Sequence, residues 1–317
     1  MDDINFNVAT ISDVWEIYQE CRNPKMRESS IRTRNVIYIN HILPYFKDVK
    51  YKDITVTDID HWHGLILRKN LSEVRLRAIH MSFSALFNFV ETRYEVLGNP
   101  CRIAGTIGSK KRMKKMQTWN LEEYQRVISH VTNKTYKMAI SLLFWTGLRK
   151  NEMYGLTWSD LDESGCLLDI NKAFKKETKS WSFTGLKSSS SYRTIAIPKF
   201  LVDDLIEYKK WCEKSKGKIK TTDFIIPWSK QKLEDAMREG EQGAGVKRIR
   251  VHDLRHSHAT LCLNSGINIV AVSERLGHEK VSTTVNIYNH SQKQHEAELI
   301  TWLELQNSKT TKLREAI

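Results

Sequence analysis

Nowhere in its 317 residues does the chain run apolar for the roughly 18 positions that a membrane-crossing helix requires, so no span is expected. Its start, MDDINFNVATISDVW, is acidic and mixed, and lacks the basic and apolar regions of a secretory signal. The five cysteines, Cys21, Cys101, Cys166, Cys212 and Cys262, stand far apart with no CxxC spacing. That argues against a disulfide framework or a zinc ribbon and suits a reducing compartment. There is no GxxxxGK(S/T) loop for ATP and no HExxH pair for a catalytic zinc. Acid is short as well: 37 Asp and Glu face 50 Lys and Arg, a formal net charge of +13. With no apolar anchor beside it, that excess favours nucleic acid over a membrane surface as partner.

What is present suffices for real cores. Apolar residues make up 40% and aromatics 9%, and the length suits two domains. Residues 10–22 read as a helix capped by Thr10 or Ser12, with Val14, Ile17, Tyr18 and Cys21 on one face. A second helix is expected over 29–42, opened by Ser29 or Ser30 and ended near Pro44. A third has Thr57 as its expected cap. A long fourth over 72–94 carries the stripe Leu76, Ile79, Phe83, Leu86, Phe87 and Val90. Four helices with short links make a small all-helical domain.

Residues 98–117 break this pattern with Gly98, Pro100, Gly105 and Gly108, then Lys110, Lys111, Arg112, Lys114 and Lys115. The stretch reads as a basic linker, either a solvated hinge or a strap over phosphates. From Asn120 a capping-box signature, Asn120 to Glu123, opens a second domain. Residues 135–146 are almost wholly apolar and predict a buried helix ended by Gly147, with Arg149 at the turn into the next helix. Over 165–197 the period changes, and CLLDI, SWSFTG and YRTIAIP predict a small antiparallel sheet. Helices are expected at 199–214 and 229–238. The stretch GEQGAGVKR (240–248) reads as loose before a final helical block.

Five segments of this second domain resemble the catalytic boxes of the tyrosine recombinases, the phage-integrase family. TGLRKNEMYGLTWSDLD (146–162) is similar to the first arginine box, with Arg149 and, three positions on, Glu152. LKSSSSYRTIAIP (186–198) resembles the hairpin that carries the catalytic lysine, here Lys187. HDLRH supplies His252 and Arg255, LGH supplies His278, and TTVNIYNH supplies Tyr288 at the nucleophile position. The match runs over residues 120–290. Residues 8–95 resemble the family's helical core-binding domain by size and position, and no segment stands out as an arm-binding domain.

The resemblance implies a mainly α protein with a small antiparallel sheet, forming a C-shaped clamp on DNA. The segments it implies are a helical core-type DNA-binding domain (1–97), a basic linker (98–117), a catalytic domain (118–290) and a helical tail (291–317) that docks on its own domain or is exchanged between protomers. It further implies a site-specific recombinase of a mobile element, metal- and ATP-independent and without cofactor. The reaction is cleavage and rejoining of double-stranded DNA through a 3′-phosphotyrosine. Arg149 and Arg255 would hold the phosphate as two planar cations, and Lys187 would protonate the leaving 5′-oxygen. His252 would move a proton or orient the phosphate, and His278 would donate to it. Arg193 and the linker residues Lys110, Lys111, Arg112, Lys114 and Lys115 would touch DNA, and Glu152 would brace Arg149. The implied partners are attachment or core sites with inverted repeats, a homotetramer on DNA, and an excisionase or host bending protein, all in the bacterial cytoplasm at the nucleoid. Three alternatives stay open: an Xer-type resolvase, a DNA-binding relative without turnover, and a type IB topoisomerase. Within the residues themselves, His252, His256 and His258 also offer a metal-site reading.

Overall fold

Thr10 opens the first helix, α1 (Ile11–Arg22): its hydroxyl accepts from Asp13 N, and the Asp13 carboxylate accepts from Thr10 N at 2.7 Å. Two orphan N–H groups are thereby satisfied reciprocally. A computed structural model describes residues 5–96, 98–109, 116–176, 181–184 and 189–288, and the chain divides into two units, Met1–Met113 and Lys114–Ile317.

The first unit is helical among the described residues. α2 (Glu28–Ile37) runs through a π-helical turn, Tyr38–Ile42, into α3 (Leu43–Phe46). The expected stop at Pro44 is therefore corrected. Pro44 sits in the first turn of α3, where its missing N–H would have no partner anyway. Arg27, whose side chain does not cap the helix, takes the cap position that Ser29 and Ser30 were expected to fill. α4 (Val56–Leu67) is capped by Thr55 and not by Thr57: each has an aspartate three positions on, Asp58 and Asp60, and it is the Thr55–Asp58 capping box that closes. α5 (Glu73–Tyr94) starts at its cap Ser72 and buries Leu76, Ile79, Phe83, Leu86, Phe87 and Val90. These pack with Trp15, Tyr38 and Trp62 into one core. The start of the expected linker is part of this unit. Asn99 caps α6 (Pro100–Ala104) and donates to Ser84 O and Asn88 Oδ1, and Cys101 is fully buried.

In the second unit α7 (Leu121–His130) is closed by the Asn120–Glu123 box, as the sequence predicts. α8 (Lys134–Thr146) lies in the core, with Ala139, Ile140, Leu142 and Phe144 fully buried. Burying each large apolar side chain contributes about 1.5–3 kcal/mol, which fixes this helix as the axis of the unit. α9 (Lys150–Gly155) follows after one turn.

Two separate antiparallel sheets stand where one was expected. In the first, β1 (Leu161–Asp162), β2 (Leu167–Ile170) and β5 (Arg193–Ala196) pair in the order β1-β2-β5, with Leu168 opposite both Leu161 and Ile195. In the second, β3 (Ala173–Lys176) pairs with β4 (Trp181–Thr184). β1 and β3 escaped sequence reading because neither AFKK nor a two-residue strand shows a period. α10 (Lys199–Lys216) and α11 (Lys230–Ala244) follow. The stretch read as loose from 240 is helical through Ala244, because Gly240 and Gly243 let α11 approach α7 closely. α12 (Asp253–Asn264), α13 (Ile269–Leu276) and α14 (Val281–Tyr288) complete the described chain. The protein is thus mainly α with small antiparallel sheets. Among the described residues no helix is long and apolar enough to cross a membrane.

Candidate active site

The site begins where α8 must stop. Gly147 adopts φ +68, a left-handed conformation that costs other residues free energy. A Cβ there would lie 2.6 Å from Leu276 Cδ2 and 2.7 Å from His258 Cδ2, so α12 and α13 approach this turn as closely as a glycine permits. The turn delivers Arg149 to the N-terminus of α9, where its backbone N–H donates to Glu152 Oε2 at 3.0 Å.

Glu152 is 2% exposed and holds two cations on separate oxygens. Arg149 Nη1 reaches Oε1 at 2.7 Å and Arg193 Nη2 reaches Oε2 at 3.0 Å. Burial alone would raise its pKa; Arg193, then the backbone and side chain of Arg149, reverse this and hold the carboxyl below the usual range.

Arg255, on α12, is 3% exposed and donates to two carbonyls, Gly147 O at 2.8 Å and Leu276 O at 2.6 Å. Burial, then the nearby charge of Arg149, bring its pKa down to about 9, so it stays a cation at neutral pH. Arg149 donates its Nη2–H to Gly277 O at 3.0 Å. Glu152 thus pairs with two guanidiniums, Arg149 and Arg193, while a third, Arg255, lies near enough to feel their charges and that of Glu152. The surplus positive charge is stabilised by an anion.

The imidazoles around this cluster are neutral at pH 7. His278 follows α13, and its Nδ1 bonds Thr284 Oγ1 at 2.8 Å. Burial, and then Arg255 and Arg149, lower its pKa to about 4. His252 is exposed by surface area, yet desolvation of its ring, and then Arg255, pull its pKa below the ordinary imidazole value. Its ring meets His256 edge-on at 5.0 Å, and His256 is lowered to about 4 by burial and by His252.

The histidine trio that offered a metal reading is not convergent. Both nitrogens of His258 are engaged elsewhere: Nδ1–H donates to Phe144 O at 2.9 Å, and Nε2 accepts from Arg275 Nε at 3.1 Å. These two bonds together require the neutral ring protonated on Nδ1. Among the described residues no group of three or more His, Cys, Asp or Glu is arranged to hold a metal.

Arg149, Arg255 and His278, far apart in sequence, thus meet at the turns following α8 and α13, with His252 beside Arg255. Tyr288 ends α14 and is described in its backbone alone; its side chain lies outside the described residues, as do Lys187, Lys110, Lys111, Arg112, Lys114, Lys115 and the tail 291–317. Arg193 is not set out for a phosphate. Its side chain is 8% exposed and bonds Glu152, Arg275 O and Ser191 O. Sequence reading missed Arg275, which also donates to Ala196 O at 2.8 Å and so ties α13 to the end of β5. A cation in the last turn of a helix, directly before the Leu-Gly-His turn, was the available signal.

Residues 117–295 match the model of the phage integrase family, and residues 10–64 match that of the phage integrase N-terminal SAM-like domain. The chain is 27% identical over 270 residues to the ICEBs1 integrase of Bacillus subtilis (strain 168), covering 82% of this chain and 73% of that one. It is 25% identical to a XerC-like tyrosine recombinase of Caldanaerobacter subterraneus subsp. tengcongensis, over 90% of this chain and 81% of that one. Among solved structures, the Tn1549 transposon integrase in complex with transposon right end DNA superposes with a TM-score of 0.77. It covers 92% of this chain and 99% of that one at 17% identity, a likeness of fold.

Proposed function

The chain belongs to the phage integrase family, and from that membership we propose that it is a site-specific DNA recombinase that integrates and excises a mobile element. The observation that carries this reading is the cluster of Arg149, Arg193 and Arg255 around the carboxylate Glu152. An enzyme that breaks a phosphodiester must stabilise charge building on the non-bridging oxygens. Arg149, whose side chain is 36% exposed, and Arg255 behind it are suited to that task.

In the proposed reaction Tyr288 Oη attacks the scissile phosphorus, a 3′-phosphotyrosine forms, and the bond to the 5′-oxygen breaks. Lys187 gives that oxygen its proton. The reverse attack by a 5′-hydroxyl rejoins the strand, so no ATP is consumed and neither metal nor other cofactor is needed. His278, with Nδ1 engaged by Thr284, has Nε2 to offer a phosphate oxygen. His252, neutral at pH 7 through its lowered pKa, is suited to receive the tyrosine proton.

The proposed segments are a core-type DNA-binding domain (1–97), a basic linker (98–117), a catalytic domain (118–290) and a tail (291–317). DNA is the proposed partner, and the similarity to an integrase solved with transposon end DNA supports it. A homotetramer on DNA, an excisionase or bending protein, and a place at the bacterial nucleoid extend the proposal. The match to a XerC-like recombinase favours a chromosome or plasmid resolvase as the second reading.

Tyr288→Phe tests the chemistry. On a nicked suicide duplex the wild-type chain should be captured covalently, whereas the variant should bind equally well and form no detergent-stable complex. Covalent capture by the variant would refute the assignment of the nucleophile.

A further inference from the structure

Three consecutive carbonyls at the C-terminal end of α13 each take one guanidinium. Arg275 O accepts from Arg193 Nε at 2.7 Å, Leu276 O from Arg255 Nη2 at 2.6 Å, and Gly277 O from Arg149 Nη2 at 3.0 Å. The end of a helix carries its unsatisfied carbonyls and the negative pole of its dipole, so the arrangement is favourable for all three cations. Arg193 also shares Glu152 with Arg149 and packs closely on the turn, since a Cβ on Gly277 would lie 3.0 Å from its Nη1. Arg193 therefore touches both groups that fix Arg149: the Glu152 carboxylate and the 275–277 turn.

We propose that Arg193 is a positioning residue of the reaction, acting through Arg149 and not through DNA. Its guanidinium clamps the Glu152 carboxylate against the end of α13, so that Arg149 keeps one N–H on each. Without that clamp both Glu152 oxygens become open to Arg149, which then closes on them bidentately and leaves Gly277 O and the place of the phosphate. Arg193 itself is too enclosed to reach a phosphate without deserting Glu152 and the carbonyls of Ser191 and Arg275, which is costly. The proposal rests on Arg149 as a phosphate-holding group.

The test measures single-turnover covalent capture, DNA affinity and thermal unfolding for Arg193→Gln, Arg193→Lys, Arg149→Lys and the Arg149→Lys/Arg193→Gln double variant. The substrate is a nicked duplex carrying the site that the wild-type protein selects from a random-sequence pool. Arg193→Gln should slow capture roughly 10- to 100-fold, the usual effect of removing a support behind a reacting group, with affinity within about twofold. Arg193→Lys, which keeps the charge beside Glu152, should recover part of the rate. In the Arg149→Lys background the further loss from Arg193→Gln should shrink towards nothing, because both changes disable the same group.

An equal loss in both backgrounds, an unchanged rate, or a loss of affinity at an unchanged rate would overturn the proposal. If Arg193→Gln does not fold, Arg193→Lys carries the same readouts in both backgrounds. Full capture by Arg149→Lys would instead remove the premise, and the inference with it. Slow capture by Arg149→Lys beside unaffected Arg193 variants would sink the inference alone.

Discussion

His258 shows how one side chain joins folding to pH. Its neutral ring donates to Phe144 O and accepts from Arg275, and the fold holds its pKa at about 4, through burial first and Arg275 second. His256 and His278, also held at about 4, lie in the same unit. Unfolded, each would titrate near 6.5, so between about 6.5 and 4 the unfolded chain binds protons that the folded chain does not. Stability is then intact above 6.5, is lost as pH falls through that window, and loses no more to these groups below about 4. His258, the most deeply buried, contributes up to about 1.4 kcal/mol per pH unit, and His256 and His278 less, because solvent screens them. We expect the unfolding temperature of the second unit to drop steeply between pH 6.5 and pH 4, and His258→Gln to flatten the slope. An unchanged slope in that variant would mean that the ring is not held neutral.

At the scale of elements, helix ends make the site and close helix contacts hold it. α8 and α13 both terminate in left-handed glycines, Gly147 and Gly277, and their freed carbonyls take Arg255 and Arg149. α11 rests on α7 through Gly240, where a Cβ would meet Val127 Cγ1 at 2.7 Å and Val127 O at 2.8 Å. Gly240→Ala should therefore destabilise the protein by about 1–3 kcal/mol through overpacking, although helix propensity alone would gain about 1 kcal/mol. Chemical denaturation reads the sign, and a stabilised variant would contradict the close packing.

For the whole molecule the governing quantity is charge. A net +13 acts on a polyanion over long distances and is screened by salt. DNA affinity should fall roughly a thousandfold or more between about 50 mM and about 200 mM salt, as phosphate contacts lose their counterion advantage. Fluorescence anisotropy across that range measures it, and a flat response would remove electrostatics as the source of binding. The two units have separate apolar cores.

Much of this was legible before any coordinates. The buried α8, the stripe on α5 and the Asn120 box are local patterns, since period and capping act over a few residues. The breaks came where local signals are weak or doubled. Thr57 has Asp60 three positions on, just as Thr55 has Asp58, so local spacing does not tell the expected cap from the one the fold uses. Pro44 looked like a stop until the preceding π-turn restarted the helix around it.

By itself, the sequence determined the residue types of the candidate site, their order, the helical character of both units and the sign of the charge. These follow from composition and from spacing along one chain. Only the tertiary structure decided which groups hold which. Arg255 bonds a carbonyl 108 positions away and Arg149 one 128 positions away, and no periodicity encodes a contact at such separations. It also set Arg193, expected at DNA, in enclosed bonds to Glu152 and the end of α13, and gave both nitrogens of His258 partners within the fold. Both outcomes depend on desolvation and on the direction of backbone carbonyls, which exist only once the helices have packed.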